Sequence, residues 1–181
     1  MQMPKIIENL RQTLLDETRK MLLEVGYKGL NIRQIARNCQ TAVGTMYNYF
    51  PSKEMLVANV LLEDWLAQME TARQQAQEAA SIEQGMAAVY AQILAFTDRY
   101  RKFFHESTLP LGSTAYEQRH FQLRGQIQAV LGPLLDRFGG DATPITLTLV
   151  AECLLTGTAE NWTFEEFYPS LKKLIEQERP L

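Results

Sequence analysis

The side chains with the most chemistry on offer sit close together between Thr41 and Lys53. In a short helix of about residues 42–50, Met46 and Phe50 lie four apart and share one face, which is the apolar one. Val43, Thr45, Tyr47, Asn48 and Tyr49 are left for the other faces. Such short polar and aromatic groups are poor choices for solubility alone. They suit base edges, thymine methyl groups and phosphate oxygens. Other chemistries find no comparable grouping. No nucleophile–base pair, phosphate-cradling glycine loop or paired carboxylates emerge, so an enzyme is not expected. His105 and His120 have no Cys or Asp at ligand spacing, and neither a metal site nor a cofactor is expected. Cys39 and Cys153, each within an apolar helical pattern and without C-x-x-C spacing, read as buried residues in a reducing compartment.

The elements that must position these residues are helices. Leu15, Thr18, Met21, Leu22 and Val25 recur at three- and four-residue spacing, and Gly26 is expected to stop that run as a left-handed cap. Asn31 is a good N-cap for a helix over about 32–38 that buries Ile32, Ile35 and Ala36. A tight break at Cys39-Gln40-Thr41 separates it from the helix over 42–50, which makes a helix-turn-helix. Ser52 then caps a fourth helix of about 52–70. Farther on, Ser81/Gln84, Thr114/Glu117 and Thr163/Glu166 have capping-box spacing, and Thr143-Pro144 places a cap before a first-turn proline. Leu109-Pro110-Leu111-Gly112-Ser113 and Gly139-Gly140-Asp141 read as breaks, and Pro133 as a kink. The expected fold is all-α: a three-helix N-terminal helix-turn-helix domain (1–58) and a C-terminal helical bundle (59–181).

Charge is divided in the same way. The first 60 residues carry eight basic and five acidic side chains, and the remainder ten and sixteen, within an overall net charge of −3. A basic segment joined to an acidic one can face phosphates while the rest stays soluble. No apolar run approaches membrane-spanning length and no signal region opens the chain, so the expected place is the cytoplasm, with no membrane partner.

Gly26-Tyr27, then Asn31-Ile32-Arg33-Gln34-Ile35-Ala36-Arg37, then Gly44-Thr45-Met46-Tyr47-Asn48-Tyr49-Phe50-Pro51-Ser52-Lys53-Glu54-Met55-Leu56 resemble the DNA-binding domain of tetracycline-repressor (TetR) type regulators over about residues 11–60. The resemblance implies a homodimer on an inverted-repeat DNA operator and a small-molecule effector held in the C-terminal helices. It implies that Arg33 reaches a base edge or phosphate, and that Val43, Thr45, Asn48 and Tyr49 face the major groove. Gly44 would let the backbone approach DNA, while Tyr47 and Lys53 would meet phosphate. At two positions the sequence departs from the family. Gln40 stands where a turn glycine is usual, so either the break differs in geometry or Gln40 is strained. Ala42 stands where a serine cap is usual, with Thr41 an alternative cap; both join the expected DNA-contacting set.

In the C-terminal part, Tyr90, Phe96, Tyr100, Phe103, Phe104 and Phe121 could line a ligand site, with core packing the plainer account. Glu152 interrupts an apolar helix, and an unpaired buried carboxylate is costly. It could pair with Arg124, lie at a dimer edge or bind a cationic ligand. Helices at about 144–161 and 169–178 are expected to form the dimer face through Leu147, Val150, Leu154, Leu171, Leu174 and Ile175, with Gly157 permitting close approach. A second reading is a helical adaptor whose basic end binds an acidic protein. Steep salt dependence with retained sequence preference would separate DNA binding from it.

Overall fold

The computed structural model describes residues 9–106 and 114–176, with the backbone alone over 114–119. The described residues contain helices and no strand: α1 (Leu10–Gly29), α2 (Ile32–Asn38), α3 (Val43–Tyr49), α4 (Lys53–Glu78), α5 (Ile82–Arg99), α6 (Arg101–Glu106), α7 (Thr114–Phe138), α8 (Pro144–Glu160) and α9 (Phe164–Ile175). Among these residues, no helix is long and apolar enough to cross a membrane. The chain forms two compact units. One comprises the described part of Met1–Trp65 with Arg99–Thr108, the other Leu66–Asp98 with the described part of Leu109–Leu181.

In the first unit, α1 buries Leu10, Leu14, Leu15, Thr18 and Leu22 and packs on α2 and α6, while α2 packs on α3. Val25 points outward instead. Gly26 has the expected positive φ of 75°, but its ψ of 179° is extended, so it kinks the chain and helical hydrogen bonding resumes to Gly29. Asn31 caps α2 by accepting from the backbone N–H groups of Arg33 (2.9 Å) and Gln34 (3.3 Å). The side chain of Ser52 likewise accepts from the N–H of Met55 at the start of α4. That helix runs to Glu78, well past the expected residue 70.

In the second unit, α7 packs on α8 and α8 on α9, around Met86, Val89, Tyr90, Ile93, Ile127, Leu131, Leu135, Val150, Leu154 and Ile175. Ser81 accepts from the N–H of Gln84, but the Gln84 side chain reaches the N–H of Ala80 rather than that of Ser81, one residue off a capping box. The guanidinium of Arg137 closes the end of α4 by donating to the carbonyls of Gln77 and Ala79. The aromatic run after Ser81 is broken at Tyr100, which separates α5 from α6. The break expected at Leu109–Ser113 lies outside the described residues, as do the Thr114 and Glu117 side chains of the expected capping box.

The last helix starts earlier and ends sooner than expected, at Phe164–Ile175 rather than about 169–178. The capping box of Thr163 and Glu166 fixes its start, and Phe167, Tyr168, Leu171 and Ile175 form one buried stripe. Pro169 therefore sits inside the helix at the loss of one backbone bond. The expected dimer face also changes. Val150, Leu154, Leu171 and Ile175 are buried within the protomer, and Gly157 makes room for Tyr90 and Phe167 of its own chain. The large apolar residues facing outward on α8 and α9 are Ile145 (74% exposed), Leu149 and Leu174. Cys39 is buried as expected, whereas Cys153 is only half-buried.

Candidate nucleic-acid interface

The turn between α2 and α3 is built on a Schellman motif. The N–H of Thr41 bonds the carbonyl of Ala36 (2.9 Å) and that of Gln40 bonds Arg37 (3.0 Å). This pattern needs a left-handed residue at position 40, and Gln40 adopts φ 54°. Of the two possibilities at that position, the structure has the strained one: the geometry is that of a glycine turn, held by a residue with a Cβ. The cap of α3 is Ala42, which has no side-chain oxygen to offer. Thr41 does not replace it: it lies one position before the cap, and no side-chain oxygen accepts from the first N–H groups of α3. The α3 N-terminus thus keeps backbone N–H groups that no side chain caps.

Met46 and Phe50 go into the core, as their spacing requires. The opposite side of α3 is open: Ala42, Gly44, Tyr47, Asn48 and Tyr49 are exposed, the two tyrosines by nearly half, and Thr41, Val43 and Thr45 are half-buried. Arg33 is exposed on α2. A Cβ added to Gly44 would meet nothing within 4 Å. The ten residues expected to contact DNA therefore share one segment, α2–turn–α3 and the first residue of α4.

Lys53 is held rather than free. Its ammonium donates to the Tyr27 carbonyl (2.7 Å) and lies 4.3 Å from the centre of the Tyr27 ring. The Tyr27 hydroxyl donates to Glu54 (2.8 Å); burial first, then that bond, push its pKa up to about 12. Phe103 of α6 meets the Tyr27 ring edge-on. From the same helix the carboxylate of Glu106 accepts from the backbone N–H of Lys28 (3.2 Å). Two arginines of α1 are already spent on acids. Arg11 bonds Asn59 and Glu63, and Arg19 bonds Asp16, Glu63 and Asp64. Asp64, buried in α4, also accepts from the Tyr100 hydroxyl (2.5 Å) and pairs with Arg99 (3.3 Å), so burial and then Asp64 push the Tyr100 hydroxyl well above its ordinary pKa.

The residues offered as a ligand set fall in both units. Tyr100 and Phe104 belong to the first unit; Tyr90, Phe96, Phe121 and Glu152 belong to the second. Tyr90 and Phe96 are core residues, with the Tyr90 hydroxyl donating to the carbonyl of Trp162, while Phe121 is largely exposed. Glu152 is half-buried and paired, with Arg124 (2.8 Å) and His120 (2.7 Å) on α7. It is therefore not an unanswered charge awaiting a cation. Burial pushes its carboxyl up, but the bonds from His120 and Arg124 outweigh this and leave it below the ordinary value. The sequence reading missed Glu106 and Asp64. Asp64 had a signal, a carboxylate between apolar residues of α4 as Glu152 is in α8; Glu106 had none.

Residues 14–60 match the family model described as bacterial regulatory proteins, tetR family. That match covers about a quarter of the chain, the segment that holds α2 and α3. The chain is 36% identical over 55 residues to the HTH-type transcriptional repressor KstR of Rhodococcus jostii, which is 30% of this chain and 26% of that repressor. The chain thus covers about a quarter of the length of the curated tetR-type relatives it matches. Solved structures extend the likeness in fold to most of the chain. A tetR-family transcriptional regulator from Streptomyces coelicolor superposes with a TM-score of 0.65 at 17% identity, over 91% of this chain and 78% of that one. FadR from Bacillus subtilis, in complex with stearoyl-CoA, gives 0.59 at 17% identity over 92% and 98%.

Proposed function

We propose that this chain is a tetR-family, ligand-responsive transcriptional repressor that reads an inverted-repeat operator as a homodimer. The observation that carries the DNA-reading part is Gly44. A glycine inside a short helix costs about 1 kcal/mol relative to alanine, and here no neighbour among the described residues requires it. What it leaves open is the outer surface of α3, flanked by Tyr47 and Asn48, where a duplex would approach. Asn48, Val43, Thr45 and Tyr49 read base edges in this account; Arg33, Tyr47 and Lys53 hold phosphate. Homodimerisation fits the outward apolar residues Ile145 and Leu149, one turn apart on α8. An effector in the second unit is supported by the likeness in fold to FadR, itself crystallised with an acyl-CoA. Such a ligand, small and largely apolar, must bind better to a form whose two reading heads are misspaced. The lever is α4, which belongs to the first unit up to Trp65 and to the second from Leu66.

The deciding experiment is selection of bound sequences from a random duplex library, followed by titration of the selected site over a range of salt. An inverted repeat with half-sites one helical turn or a multiple apart is expected. Binding that tracks charge alone, with no sequence preference at low or high salt, would leave the basic-ended adaptor as the better account.

A further inference from the structure

We propose that Glu106 is a positioning residue for DNA binding, acting through Tyr27 on Lys53; this rests on the DNA-reading function above. Lys53 at the start of α4 needs its ammonium aimed outward, yet a lysine stem has many rotamers. The Tyr27 carbonyl and ring fix it at 2.7 Å and 4.3 Å. An ammonium carries three donors, so one spent on Tyr27 leaves two for phosphate oxygens. The hold is therefore pre-organisation, not sequestration.

The backbone that presents the Tyr27 carbonyl is not a rigid helix. It follows the Gly26 kink, where the chain is extended. Glu106 braces it there: its carboxylate accepts from the Lys28 N–H and lies over Gly26 so closely that a Cβ at that glycine would sit 2.6 Å from Oε2. Phe103, one turn earlier on α6, braces the Tyr27 ring. The order of dependence is Glu106, then the 26–28 backbone, then Tyr27, then Lys53.

The test exploits a sign. Removing a carboxylate from a protein that binds an anionic duplex favours binding on charge grounds alone. Positioning gives the opposite sign for Glu106→Ala and not for Glu106→Gln, whose amide oxygen still accepts from Lys28. Full-length variants are titrated against the selected operator and a random duplex, with thermal melting as the folding control. Glu106→Ala is expected to lose about three- to tenfold in affinity on both duplexes, the cost of re-immobilising one long side chain. Glu106→Gln binds at least as tightly as the wild type. In a Lys53→Ala background, Glu106→Ala costs nothing further. Unchanged or tighter binding by Glu106→Ala overturns the proposal, as does a loss of the same size without Lys53. Should Glu106→Ala fail to fold, Glu106→Asp, one methylene short of Lys28 and of unchanged charge, replaces it; it must bind more weakly than the wild type or the proposal falls. A wild type that binds neither duplex removes the DNA-reading function itself, whereas Lys53→Ala weakened and Glu106→Ala not weakened removes only the role of Glu106.

Discussion

The ammonium of Lys53 rests on the carbonyl oxygen and the ring of Tyr27, 26 residues earlier in the chain. A side chain that sequence alone would leave as a solvated lysine at a helix start is thus held in place by its own chain. The same region supplies the contrast on which the first prediction depends.

Lys53→Ala should weaken binding to all duplexes and lower the salt slope by about one. Asn48→Ala, by contrast, should cost about 1–3 kcal/mol on the operator and relax discrimination at particular bases. Titrations on operator and random duplexes at several salt concentrations check both. Equal losses on both duplexes for both variants would show that the roles are misassigned.

Gly44→Ala should separate folding from binding. With open space around a Cβ there, the protein gains up to about 1 kcal/mol from helix propensity. Operator affinity should nevertheless fall at least about tenfold, or about 1.4 kcal/mol. A melting curve and a binding curve on the same sample suffice; a variant that both melts higher and binds normally contradicts the close approach.

The turn offers two stabilising changes. Ala42→Ser supplies the missing cap of α3 and should add about 1 kcal/mol. Gln40→Gly removes left-handed strain that costs about 1–2 kcal/mol and returns part of it as unfolded-chain entropy, for a net gain below about 1 kcal/mol. Denaturant titration measures both, and a loss of stability in either would mean that the turn geometry differs from that described.

The pairing of Glu152 with Arg124 and His120 gives an acid-side dependence. Its carboxyl lies lower in the folded chain than in the unfolded one. The stabilisation is therefore complete above the ordinary carboxylate pKa and disappears as pH falls through the folded value. Glu152→Gln should be less stable than the wild type at neutral pH, by no more than about 1 kcal/mol for so exposed a group. The gap should close in acid. A gap that is constant from pH 7 to pH 3 would mean that the carboxylate charge is not what matters.

If Ile145 and Leu149 meet a second copy, Ile145→Glu should give a monomer at micromolar concentration with native helicity and weakened operator binding. Light scattering and circular dichroism read this directly. An unchanged dimer would move the interface elsewhere on the chain.

What the sequence disclosed was what neighbours along the chain decide. Asn31, Ser52, Thr143 and Thr163 announce helix starts because a cap acts within three residues. Met46 and Phe50 give the buried face of α3 because four residues make one turn. Gln40 was legible as a problem, though not as which problem. Less visible were contacts set by the path of the chain. Arg124 could be named as a partner of Glu152 from charge alone, but His120 could not. Tyr100 reads as one more aromatic in a stripe until Asp64 is seen to receive its hydroxyl. Four of the six residues named for the dimer face, Val150, Leu154, Leu171 and Ile175, fill the protomer's own core, since an apolar helix does not say which of its faces its own chain will take.

The first compact unit is discontinuous: it takes α1 to α3 and the start of α4, then waits for the chain to come back as α6. During synthesis this imposes a delay. At about 5–20 residues per second, the roughly 40 residues from Trp65 to Glu106 occupy a ribosome for about 2–8 s. Throughout that interval α1–α3 have already been made, with Asp64 lacking Tyr100, the Lys28 N–H lacking Glu106 and the Tyr27 ring lacking Phe103. A nascent chain of this protein therefore carries α3 well before the contacts that α6 makes with α1 are in place. The first unit is complete only after more than half of the polypeptide has been translated.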